Sequence, residues 1–197
     1  MDNELLQLET ALASRLEVAA DDPMASAATY PLAIRWSERA WQVARDCGPF
    51  ELSADVLQWG LQLAQRPVFI SGAHRSGTTL VHDLLDSHVE LCVLPSEGSY
   101  YTTTASQLDR HLESDRIRVM TCEWLRRLAN GINQPPWWLL GRSHEQGSPY
   151  VDFARAMLAW WPVAAEHYAG STALWPLVAV MLAYARSLPS SVRCQPA

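Results

Sequence analysis

Lysine is missing from this 197-residue sequence, so all fifteen of its basic residues are arginine. That absence removes Schiff-base chemistry, lysine general bases and the Walker lysine of ordinary nucleotide-binding loops. Positive charge is scarce overall: 21 acidic residues leave a formal net charge of −6 and a pI near 5.4. A nucleic-acid partner is disfavoured, because a duplex would meet a repulsive surface. The four cysteines, Cys47, Cys92, Cys122 and Cys194, include no CxxC pair. They form neither a zinc framework nor a small disulfide scaffold, and reduced, mostly buried thiols are expected. Met1-Asp2-Asn3-Glu4 lacks the basic flank and apolar run of a secretory signal, so cytoplasmic residence is the expectation. From Gly170 to Ala185 no charge occurs, but the stretch is short for a bilayer and contains Pro176. It predicts a buried core helix and no membrane span.

What is present suffices for one substantial core, since 49% of the residues are hydrophobic and 18% charged. Leu5, Leu8, Leu12, Leu16 and Ala19 recur at three- and four-residue steps, predicting an amphipathic helix over 3–19 that Asp21-Asp22-Pro23 ends. A second helical pattern runs from Tyr30 to Cys47 and stops at Gly48-Pro49. Ser53 can cap a third, carrying Val56, Leu57, Trp59, Leu61 and Leu63.

At Pro67 the pattern changes. Val68-Phe69-Ile70, closed by Ser71-Gly72, predicts a short strand buried on both faces. Gly77 then precedes a helical segment from Thr78 to Leu85, and Leu91-Cys92-Val93-Leu94 predicts a second, parallel strand, giving one βαβ unit. Residues 106–130 read as helix, 131–149 as a loop rich in Gly, Pro and Trp, and 150–185 as largely apolar helix. Trp137-Trp138 and Trp160-Trp161 could line an acceptor pocket, but core filling is the simpler use. The expected fold is therefore α/β: a P-loop-like parallel sheet, incomplete by strand count, flanked by helices. Residues 1–66 form an N-terminal helical segment, 67–187 the core and 188–197 a loose tail.

The segment that carries chemistry is Gly72-Ala73-His74-Arg75-Ser76-Gly77-Thr78-Thr79. It keeps the Walker glycine spacing but places Thr78 where the lysine should stand. A kinase-like reading would need ATP and magnesium binding without that lysine, and is disfavoured. The anion-binding geometry survives the replacement: glycines permit a turn of converging N–H groups, and a helix N-terminus adds its positive dipole end. Arg75 supplies a permanent charge and forked donors, while Ser76, Thr78 and Thr79 offer hydroxyls.

The run from Pro67 to Leu80, Pro-Val-Phe-Ile-Ser-Gly-Ala-His-Arg-Ser-Gly-Thr-Thr-Leu, resembles the 5′-phosphosulfate loop of the sulfotransferases, specifically the arginine-loop, bacterial-type subgroup. Leu84-Leu85-Asp86-Ser87-His88 is similar to the helix ending that follows it. The resemblance implies a 3′-phosphoadenosine 5′-phosphosulfate donor, no metal, and transfer of a sulfuryl group to an acceptor hydroxyl or amine on a small molecule, glycan or lipid. It implies donor binding by Gly72, His74, Arg75, Ser76, Gly77, Thr78 and Thr79, with Arg75 and Glu97 catalytic. His88 reads instead as a helix-ending residue. The family's 3′-phosphate arginine and serine find no counterpart by spacing, Arg186 with Ser190 or Ser191 being the nearest pair. Two accounts follow: a truncated, inactive member retaining the front half of the fold, or a divergent branch, the first favoured by the two-strand count. A different class of reading is a catalytically silent anion-binding module acting through a partner protein.

Overall fold

A computed structural model describes residues 2–19, 23–66, 68–72, 77–86, 88, 91–95, 100–129, 138–144 and 147–187. Eight α-helices lie among them: α1 (Asn3–Ala19), α2 (Pro23–Cys47), α3 (Ala54–Leu63), α4 (Thr78–Asp86), α5 (Ala105–Leu108), α6 (Glu113–Ala129), α7 (Pro149–Tyr168) and α8 (Trp175–Ser187). A π-helical turn, Tyr100–Thr104, leads into α5.

Local chemistry sets several of these boundaries. Asp2 accepts the Leu5 N–H at 2.8 Å and so caps α1. Ser53 Oγ likewise accepts from the Val56 N–H at 3.3 Å at the start of α3. Pro149 opens α7, where its missing N–H costs nothing. α2 starts at Pro23 rather than Tyr30, with the exposed Pro31 inside the helix. The helix expected over 106–130 is interrupted: α5 and α6 are separate, joined through Asp109–Leu112. The apolar helix of 150–185 is likewise two, α7 and α8, packed on each other across the turn at Gly170.

The core is helix on helix. α7 and α8 pack together, α1 lies on α2, and α2 contacts both α6 and α7. Trp36, Tyr150 and Trp138 meet edge to face at centroid distances of 5.0 to 5.6 Å, joining α2, α7 and the segment before it. Trp160 is wholly buried, and Trp161 stacks edge-on against Trp175 at 4.6 Å. Trp138, Trp160 and Trp161 thus fill the core, while Trp137 lies outside the described residues. α8 is buried along most of its length, and no helix among the described residues is long and apolar enough to cross a membrane. At the α2–α6 seam Arg118 pairs with Glu38 at 2.7 Å, and Arg126 donates to Ser37 Oγ at 3.0 Å.

The expected α/β class is corrected by this architecture. Among the described residues there is no sheet, only an isolated antiparallel bridge between His144 and Gly147. Val68, Phe69 and Ile70 are not a strand buried on both faces, for their exposures are 76%, 44% and 38%. Leu91–Leu94 forms no ladder with them, so no βαβ unit closes. The physical reason is one of partners. A parallel pair of three and four residues is marginal alone, and no further strand lies among the described residues to extend or cover it.

Candidate functional site

The segment singled out by its sequence surrounds the start of α4. Ser71 and Gly72 are exposed and free of regular structure. Gly77 follows at φ +85°, a left-handed conformation that side chains with a Cβ adopt at a cost, and nothing lies within 4 Å of where a Cβ would stand. The next residue, Thr78, begins α4, and the Val81 N–H donates to the Gly77 carbonyl at 3.1 Å, closing the first turn. A residue in the left-handed conformation thus sits directly at the positive end of a nine-residue helix.

Thr78 is half-buried, and Thr79 is the second residue of the helix. His74, Arg75, Ser76 and Glu97 lie outside the described residues. At the other end of α4 the His88 N–H donates to the Leu85 carbonyl at 3.0 Å, and the Leu91 N–H to the His88 carbonyl at 3.1 Å. His88 therefore sits in the turn that ends the helix, as its position in the sequence suggests.

One residue of this region that sequence reasoning passed over is His82. Its Nε2 lies 2.7 Å from the Leu94 carbonyl oxygen and its Nδ1 3.1 Å from Asp83 Oδ1. Burial of the ring opposes its charge, but the Leu94 carbonyl, then Asp83 and Asp86, outweigh that effect and raise its pKa. A histidine one turn into a helix gives no signal by spacing; only the fold shows what it reaches.

Arg186, the nearest arginine considered for a second donor contact, is used otherwise. Its guanidinium stands 5.3 Å from the Phe50 ring centroid, and Arg155 stacks on the same residue at 4.1 Å while donating to the Gly48 carbonyl at 2.9 Å. Ser190 and Ser191 lie outside the described residues. A shallow hollow of about 390 Å³ along α1, lined by Leu6, Gln7, Thr10, Ala11 and Ser14, carries no charged group and runs along a single helix.

Against known proteins, a family model described as the sulfotransferase family matches residues 67–175, more than half of the chain. The match begins at the lysine-free loop segment and runs through α4, α6 and α7, leaving α1 to α3 outside it. No curated protein and no solved structure matches the chain.

Proposed function

Since the chain belongs to the sulfotransferase family, we propose that it binds 3′-phosphoadenosine 5′-phosphosulfate at the 72–79 loop and transfers the donor's sulfuryl group to an acceptor hydroxyl or amine. The observation that carries this reading is Gly77, whose positive φ turns the chain immediately before the N-terminus of α4. Loop amides, the helix dipole and the hydroxyls of Ser76, Thr78 and Thr79 together suit a phosphate. Gly72 and His74 complete the loop.

In the proposed step the sulfur–oxygen bond to the donor phosphate breaks as a bond from sulfur to the acceptor oxygen or nitrogen forms. Arg75 and the loop amides take up the charge that develops on the leaving phosphate and the moving sulfuryl group. Glu97 removes the acceptor proton as general base. No step uses a metal. A small-molecule, glycan or lipid acceptor and cytoplasmic residence complete the proposal. The start of the family match at residue 67 supports a division between the helical segment 1–66 and a core over 67–187.

Calorimetric titration with adenosine 3′,5′-bisphosphate tests the donor site. Saturable binding by the intact chain, abolished by Arg75→Ala, is expected; no binding overturns the proposal. Glu97→Gln should keep that binding while lowering sulfuryl transfer by about a hundredfold or more.

One observation favours a second reading, a catalytically silent module that associates with a partner protein. Among the described residues, seven of the nine exposed large hydrophobics fall between Val68 and Leu91, a concentration suited to association. On that reading the bisphosphate binds but no transfer occurs, and Glu97→Gln changes nothing.

A further inference from the structure

A half-buried guanidinium ordinarily meets a carboxylate, because partial loss of water leaves its charge in need of a partner. Arg39, Arg118, Arg126 and Arg127 follow that rule, each within 3.1 Å of an aspartate or glutamate oxygen. Arg155 of α7 and Arg186 in the last turn of α8 are also half-buried, yet among the described residues no carboxylate forms an ion pair with either. Both converge instead on one ring: their guanidinium carbons lie 4.1 and 5.3 Å from the Phe50 centroid. The face of a phenylalanine ring attracts a cation but does not cancel the repulsion between two of them.

The acid that acts on both is Asp152, three residues before Arg155 on α7. Its pKa is raised, because loss of solvation outweighs the attraction of Arg155 and Arg186. A carboxylate serving as their tight counterion would be shifted the other way. Hydrogen-bond capacity is left over as well. Arg155 commits its Nε to the Gly48 carbonyl at 2.9 Å, while its Nη groups and the whole fork of Arg186 have no acceptor among the described residues.

Two neighbouring forks with spare donors and an excess of positive charge suit a tetrahedral oxyanion. Such a group has oxygens enough to accept from both guanidiniums, whereas a carboxylate is used up by one bidentate contact. We infer that Arg155 and Arg186, gathered on Phe50, form an anion site for a sulfate or phosphate group, which bridges the two guanidiniums and relieves their repulsion. Asp152 opposes the anion and so limits its affinity. No residue of the 72–79 segment contributes, and the inference does not depend on the proposed donor site.

Phenylglyoxal treatment of the full chain, with modified arginines mapped by peptide mass, tests each guanidinium separately. Sodium sulfate is the probe, with sodium chloride at matched ionic strength as the reference, so that general screening is common to all samples. Sulfate should slow modification of Arg155 and Arg186 saturably, by about tenfold at about ten times its Kd, and leave the exposed Arg35 and Arg45 unaffected. Arginine Nε–H spectra, in which sulfate should shift the Arg155 and Arg186 signals, give a second readout that needs no chemical access. Arg186→Gln should abolish the effect of sulfate on Arg155, and Arg186→Lys, which keeps the charge without the fork, should retain part of it. Asp152→Asn should tighten sulfate by about threefold, since it removes the opposing carboxylate. Arg75→Ala should change none of this, which separates the site from any sulfate held by the 72–79 loop. A monosaccharide sulfate beside the free ion distinguishes the sources: equal protection assigns the site to the free oxyanion, stronger protection by the ester to a group carried on an organic ligand. Identical behaviour of Arg155 and Arg186 in sulfate and chloride would overturn the inference. So would an effect on Arg155 that survives Arg186→Gln, or weaker sulfate binding in Asp152→Asn.

Discussion

The carboxylate of Glu9, in the first helix, accepts hydrogen bonds from both the backbone N–H and the hydroxyl of Ser143, at 2.8 and 2.6 Å. Only 1% of Glu9 is exposed, so this charge is held out of water, with Arg142 3.5 Å away as the nearest countercharge. Ser148 Oγ lies 2.7 Å from Ser143 Oγ. With the Ser143 hydrogen committed to Glu9, Ser148 is the donor of that pair. The network fastens the segment before α7 onto α1, although α1 lies outside the family match. Glu9→Ala leaves the half-buried Ser143 donors without their acceptor and should lower unfolding free energy by about 1–3 kcal/mol. Glu9→Gln keeps one acceptor and should lower it by less, a ranking that urea denaturation of the two variants checks.

Gly60 shows a second long-range constraint. A Cβ built there would stand 2.2 Å from the tip of the buried Trp160 ring, inside any real contact distance. Alanine normally favours a helix interior over glycine by about 1 kcal/mol. At this site the overpacking, about 1–3 kcal/mol, should exceed that gain. Thermal unfolding of Gly60→Ala is expected to show net destabilisation and an altered tryptophan fluorescence spectrum; a rise in Tm would contradict the contact.

These two contacts indicate how far the sequence was legible. The stripe of α1, the Ser53 cap and the burial of residues 175–185 depend on neighbours within a turn or two, and spacing reveals them. The start of α2 at Pro23 is not legible from spacing, because a proline inside a helix, here Pro31, ordinarily marks a boundary. Val68-Phe69-Ile70 has strand composition, but a strand exists only with a ladder partner, and composition names no partner. The glycine turn at Gly77 was legible because its chemistry is local. His82 was not, because its partner, Leu94, is supplied by the fold.

Two thiols should behave oppositely. Cys122 is buried, burial above all pushes its pKa up to about 12, and its sulfur lies 3.6 Å from the Ser37 carbonyl. Cys47 is exposed at the end of α2. Maleimide treatment of the folded chain should label Cys47 promptly and leave Cys122 unmodified until denaturant is added, which peptide mass mapping would resolve. Labelling of Cys122 at a similar rate under native conditions would mean that the α2–α6 seam opens readily.

Gly77→Ala separates the backbone requirement of the proposed anion site from its side chains. Nothing would collide with the added methyl, so the cost is purely conformational, about 1–2 kcal/mol for holding φ at +85°. The buried helical core does not involve this residue, so Tm should change little. Bisphosphate affinity should fall about tenfold, because the turn must be restored at the expense of binding. A fall in Tm with affinity unchanged would place the role of Gly77 in stability instead.

The pH dependence of stability has one identified contributor at the N-terminus. Asp2 accepts from Arg39 Nε at 3.0 Å and Nη2 at 2.5 Å, and those bonds, opposed by partial burial and aided by the Leu5 N–H, hold its pKa below the usual 3.8. A depressed folded pKa contributes stability that is fully present above the unfolded value and disappears as pH falls through the folded one. Asparagine remains a good helix cap, so Asp2→Asn removes the charge pairing with Arg39 while leaving an acceptor for the Leu5 N–H. The wild-type advantage in Tm over Asp2→Asn should therefore be steady near pH 6 and shrink below pH 3.8. Because the pair is partly open to solvent, added salt should also shrink it at neutral pH. An advantage that instead grew with acidity would show that the Arg39 contact does not persist in solution.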